Sequence, residues 1–153
     1  MKIQIPSIAE CLVLAAAHSA LAEFDIRDFG AAETNSAAEN AAAIQKAIDA
    51  AGNGGAVIIP AGTFVSGTLW LRPHVELHLA DGAVLKASPN LSDYNPLDAY
   101  PENWGCPPEY WNGCHFIIAR HADGASITGT GRWKATISRQ CVAPQTRPAS
   151  APC

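Results

Sequence analysis

His74 and His78 stand four residues apart, the spacing at which two imidazoles share a zinc ion on one face of a helix. They lie instead in an apolar, β-branched run. On a strand that spacing keeps them on one face but about 13 Å apart, at about 3.3 Å per residue, too far for one ion. Cys106, Cys114 and His115 form a second group. A single cysteine pair falls short of a zinc pattern, so no metal or cofactor is assigned. In an exported chain, a disulfide between Cys106 and Cys114 pinning the intervening segment is the better reading, and whether they are bonded stays open. Asp93, Asp98, Glu102 and Glu109 are a third group, and paired carboxylates do acid and base work when their surroundings split their pKa values. Nothing near them does so. They are expected to be solvated, with no catalytic role.

Those carboxylates are interleaved with Tyr94, Tyr100, Trp104, Tyr110 and Trp111 in the segment Asn90 to Asn112, which lacks strand patterning and predicts a long loop. Aromatic faces on a loop can stack on sugar rings. Packing of the loop against the body is the plainer expectation, because these rings are large apolar groups first. No substrate-binding residue is named.

A rigid scaffold must carry that loop. Gly54 to Leu79, GGAVIIPAGTFVSGTLWLRPHVELHL, reads as short strands at close intervals: Val57 to Ile59, Thr68 to Leu71, Val75 to Leu79, with Val84 to Leu85 following. Parallel strands with helical crossovers need connections of about a dozen residues, which are missing. Tight-hairpin dipeptides are mostly missing too, so a β-solenoid is favoured over an antiparallel meander. Phe116 to Ala119 and Ser126 to Thr128 resume the pattern. Ahead of it, Glu23 to Gly30 predicts a short strand ending at a glycine turn. Ser36 and Glu39 form a capping-box signature. Ile44, Ala47, Ile48 and Ala51 make one apolar stripe, and Gly52 is the expected stop. Such a helix suits a cap over the open end of a strand stack. Gly54 and Gly55 are expected to supply positive φ after the helix, and Pro60 with Gly62 the next corner.

The chain is 48% hydrophobic and 16% charged, which predicts folding rather than disorder. Residues 1–131 hold all 14 acids against 6 bases, and residues 132–153 hold 4 bases and no acid. An acidic body argues against nucleic acid as partner. Residues 1–22 are read as an export signal, from Lys2, the apolar run Cys11 to Ala17 and the small residues Ala20 and Ala22. A secreted or periplasmic location is therefore expected. A spanning helix of about 20 apolar residues is absent beyond it, so no membrane partner is expected.

The strings DFG, AAAIQKAIDAAGNGGAVIIPAGTFVSGTLWL, VELHLADGAVLKAS, SDY and ASITGTG resemble the N-terminal third of glycoside hydrolase family 28, the polygalacturonases and related pectin hydrolases, and the resemblance extends over roughly residues 24 to 131. The resemblance implies an all-β chain: the start of a right-handed parallel β-helix with an N-terminal amphipathic capping helix, truncated. It implies a monomer acting on pectin-type polysaccharide in the full-length parent, by inverting hydrolysis of galacturonan-like bonds. Family members carry Asn-Thr-Asp, Asp-Asp, Gly-His-Gly and Arg-Ile-Lys segments for catalysis. None of these strings occurs here, so no catalytic residue is carried over and the chain alone is expected to be inactive. The alternatives are a fragment of a pectate-lyase-like lyase or epimerase, or a non-catalytic polysaccharide-binding β-helix module.

Residues 23–131 are thus expected to form the cap and first coils. Residues 132–153, RWKATISRQCVAPQTRPASAPC, depart from the family pattern and are expected to be a disordered tail from a premature or frameshifted end, with a genuine short tail as the alternative. The last coil would then present an open, aggregation-prone edge.

Overall fold

The computed structural model describes residues 22–52, 54–96, 99 and 113–135. Nine short strands and one α-helix make up most of it: β1 (Ala22–Asp25), α1 (Ala37–Ala50), β2 (Gly55–Ile59), β3 (Gly62–Ser66), β4 (Leu69–Trp70), β5 (Val75–Leu79), β6 (Ala83–Ala87), β7 (Ile117–Ile118), β8 (Ser126–Gly129) and β9 (Arg132–Lys134). Three-residue-per-turn helices occupy Ile26–Phe29 and Leu91–Asp93.

The strands form three sheets: A in the order β1-β2-β5-β8, B in the order β3-β6-β9, and C in the order β4-β7. Every pairing among the described residues is parallel, which excludes the antiparallel meander for them. The chain visits A, B and C with β2, β3 and β4, then A and B with β5 and β6. It visits C, A and B again with β7, β8 and β9. Among the described residues only β1 and β2 are joined through an α-helix, α1; from β2 to β5 and from β3 to β6 the intervening chain is spent on strands of the other sheets, so those parallel neighbours need no helical crossover.

Period-2 alternation sends one side of each strand inward. In sheet A the register aligns Phe24, Val57, Leu77 and Ile127 in one row. In sheet B it aligns Phe64, Leu85 and Trp133. Val57 and Leu77 of the first row and Phe64 and Leu85 of the second are fully buried and share one core with Ile44, Ala47 and Ile48 of α1. The last members are not covered: Ile127 is 45% exposed and Trp133 62%.

The capping box at the start of α1 forms as expected. The Glu39 N–H donates to the Ser36 hydroxyl (3.3 Å) and the Ser36 N–H donates to the Glu39 carboxylate (2.9 Å). Three local expectations are corrected. The strand from Glu23 ends at Asp25, because the Asp25 carboxylate accepts the Arg27 N–H (2.8 Å) and starts a tight helical turn that Gly30 closes at φ 96°. Gly52 is not the left-handed stop; Ala51 caps α1 at φ −77° and the reversal falls at Gly54, φ 97°. Gly55 does not have positive φ either. It is required by crowding, since a Cβ there would lie 2.8 Å from both the Ala22 carbonyl oxygen and the Phe24 ring.

The boundary expected between Gly131 and Arg132 also moves. Arg132–Lys134 is strand β9, paired with β6, so the strand pattern runs three residues further than the composition suggested. Residues 1–21 and 136–153, which include most of the expected leader and tail, lie outside the described residues.

Candidate functional site

The described residues that flank the aromatic segment, after β6 and before β7, are its two feet, and both are fixed by side chains. Ser88 folds the departing turn. Its hydroxyl donates to the Asp93 carboxylate, its oxygen accepts the Asn90 N–H (3.1 Å), and its carbonyl accepts the Tyr94 hydroxyl (2.5 Å). Asp93 is therefore engaged rather than solvated, contrary to expectation, and half-buried. Its backbone carbonyl accepts the Thr68 N–H (3.2 Å).

Thr68, on the approach to β4, then bridges the two feet. Its hydroxyl accepts the Asn95 N–H (2.9 Å) and donates to the His115 carbonyl (2.6 Å). Asn95 completes the clasp directly. Its side-chain oxygen accepts the His115 N–H (2.9 Å), its backbone oxygen accepts the Cys114 N–H (2.8 Å), and its amide nitrogen lies 3.2 Å from His115 Nδ1. One residue on, the Leu69 N–H donates to the Phe116 carbonyl (2.9 Å) and the β4 and β7 ladder begins. A side chain at Gly113 would overlap the Asn95 carbonyl, so the returning strand approaches as closely as a backbone can.

This constellation positions; it does not react. Its one hydroxyl beside a carboxylate among the described residues, Ser88 on Asp93, is spent in folding the turn. Among the described residues, no group of three or more His, Cys, Asp or Glu could hold a metal ion. Asp98, Glu102, Glu109, Tyr100, Trp104, Tyr110, Trp111 and Cys106 lie outside the described residues, so the disulfide expected between Cys106 and Cys114 and the aromatic arrangement are untouched by it. Cys114 itself is half-buried, at φ 65°.

His74 and His78 do not share a strand face as expected. Strand β5 begins only at Val75, and His74 sits in the preceding turn at φ 60°. His78 points outward from sheet A, where its Nδ1 lies 2.8 Å from the Thr128 hydroxyl, which in turn donates to Glu76. Sequence reasoning missed Thr68 and Asn95 altogether. Their only signal is polarity beside strand ends, and the partners are 20 to 47 residues apart.

A chain of this architecture has clear relatives. The exo-poly-α-D-galacturonosidase of Dickeya chrysanthemi is 49% identical over 61 residues, which cover 40% of this chain and 10% of that protein. The family 28 exopolygalacturonase of Yersinia enterocolitica superposes with a TM-score of 0.61 at 33% identity, over 74% of this chain and 20% of the enzyme. The chain is polygalacturonase-like, similar to enzymes of glycoside hydrolase family 28.

A hyperthermoactive exopolygalacturonase from Thermotoga maritima superposes similarly, with a TM-score of 0.60 at 26% identity, over 73% of this chain and 24% of that one. No family model matches the chain. The match spans about a tenth of the curated relative and a fifth to a quarter of the solved enzymes. The Asn-Thr-Asp, Asp-Asp, Gly-His-Gly and Arg-Ile-Lys strings expected from the resemblance are not among its 153 residues.

Proposed function

We propose that this chain is the opening part of an exo-acting polygalacturonase, a secreted or periplasmic enzyme that hydrolyses galacturonan from chain ends. The observation that carries the reading is the 33% identity to the Yersinia enterocolitica enzyme across 74% of this chain, at a TM-score of 0.61. All three relatives are named as exo-acting on galacturonan, which favours exo over endo action.

On this reading the recurring visits to sheets A, B and C are successive turns of a right-handed parallel β-helix, and α1 with its preceding loop is the cap. The loop and helix satisfy the first strands' outer edges: Glu33 accepts the Thr63 N–H (2.9 Å), and Gln45 pairs with the Trp70 backbone. An inverting glycosidase needs an acid and a base about 6.5–9.5 Å apart, and this chain's contribution is to hold the first layers on which later strands bring them.

The test is to read the coding DNA beyond the Lys134 codon in all three frames. One frame is expected to supply Asn-Thr-Asp, Asp-Asp, Gly-His-Gly and Arg-Ile-Lys segments in turn. Three frames without them would overturn the proposal.

A further inference from the structure

The outer face of sheet B carries three cations. Lys86 of β6 stands in register with Lys134 of β9, and Val84 with Arg132. Alternation puts Lys86, Arg132 and Lys134 on the face opposite Leu85 and Trp133. All three are exposed, and none makes an ion pair among the described residues, where the pairs are Arg72 with Asp49 and His78 with Glu76. Strand β3 adds Thr63 and Val65 to the same face and no carboxylate.

Like charges directly opposite on neighbouring strands oppose folding. A lysine on an edge strand is ordinarily a guard against edge-to-edge pairing, and that accounts for Lys134 on β9. It does not account for Lys86, because β6 is paired on both sides. Nor is the face part of a generally basic molecule, since the chain carries a net charge of −4. Strand geometry sets Lys86 and Lys134 about 4.8 Å apart at the backbone and Arg132 about 6.6 Å along from Lys134. That is a flat, short-spaced triangle of positive charge on a rigid sheet.

We propose that this face is an accessory binding site for an acidic polysaccharide, whose successive carboxylates lie over Lys86, Lys134 and Arg132. The polysaccharide's identity as galacturonan rests on the function proposed above; the site itself rests on the register of β6 and β9. Bound carboxylates would relieve the repulsion between Lys86 and Lys134.

Affinity electrophoresis through gels containing polygalacturonate, its fully methyl-esterified form, or heparin tests this. The chain is expected to be retarded by polygalacturonate and not by the ester. Retardation is expected to fade from about 10 mM to about 150 mM salt, as the screening length shortens from about 30 Å to about 8 Å. The double variant K86Q/K134Q is expected to bind about fivefold more weakly while unfolding at or above the parent's temperature, and K46Q on α1 to bind as the parent does. Absence of binding, equal binding to the ester, or unchanged binding by K86Q/K134Q overturns the site. Equal retardation by heparin, lost in K86Q/K134Q, keeps the site and counts against galacturonan as the natural ligand.

Discussion

The side-chain amide of Gln45 pairs with the backbone of Trp70 as a neighbouring strand would. Its oxygen accepts the Trp70 N–H (2.9 Å) and its nitrogen donates to the Trp70 carbonyl (3.0 Å). Strand β4 has β7 on one side only, so the amide fills the other side and closes an edge that would otherwise invite another chain. Gln45 also donates to Asp49 (3.1 Å), which pairs with Arg72 (2.8 Å), tying the helix to the far end of β4.

Gln45→Ala removes both backbone partners from Trp70. A loss of about 1–3 kcal/mol is expected from the half-buried groups left unsatisfied, read as a lowered midpoint in urea. Gln45→Glu keeps the acceptor but not the donor, and should fall between. Equal stability of Gln45→Ala and the parent would show that water serves the edge as well.

Thr68→Val removes the hydroxyl that joins Asn95 to His115 while keeping the shape. The expected cost is about 1–2 kcal/mol, with faster hydrogen exchange at the Asn95 amide. Thr68→Ser should keep both bonds and most of the protection.

Leu77 and Ile127 occupy the same register row, one fully buried and one 45% exposed. Leu77→Ala is expected to cost about 2–5 kcal/mol, and Ile127→Ala under about 1 kcal/mol because half its surface already meets water. Similar losses at both positions would mean that something covers β8 in solution.

The Glu39 carboxyl is held below its ordinary value by the Ser36 hydroxyl first and then by the Ser36 backbone N–H. A depressed pKa in the folded state means the contribution is present above the unfolded value, near 4.5, and is lost as pH falls through the folded one. Ser36→Ala should therefore narrow the stability difference between pH 6 and pH 3, tracked by helical circular dichroism at about those two pH values. An unchanged acid limb would show that the box is not what holds this carboxyl.

What could be read from the sequence was local. Ser36 and Glu39 are three apart, and Ile44, Ala47 and Ile48 fall within a turn or so, so the helix announces itself before any tertiary contact exists. The inward rows were legible for the same reason, because alternation in Val75–Leu79 needs only its own five residues. What the sequence does not show is of two kinds, competing local caps and contacts between distant residues. Ile26 alternates with Phe24 like a strand residue, but the Asp25 cap and the buried seat of Ile26 in the core turn the chain into a helical turn. Gly62–Ser66 has a weak strand pattern of its own, since Phe64 is its one fully buried hydrophobe and Gly62, Thr63 and Ser66 are small or polar; pairing with β6 makes it a strand. The clasp of Thr68, Asn95 and His115 and the ladder of Lys86 and Lys134 exist only once strands far apart in sequence are in register.

The most direct measurement is a chimera that joins residues 1–134 of this chain, at β9, to the rest of the Yersinia enterocolitica family 28 exopolygalacturonase. If this stretch is the opening of the same enzyme, the folded chimera releases short uronides from the ends of polygalacturonate by hydrolysis, and residues 1–134 alone release none. A soluble, cooperatively folding chimera that releases nothing, or that yields unsaturated products, would contradict the account.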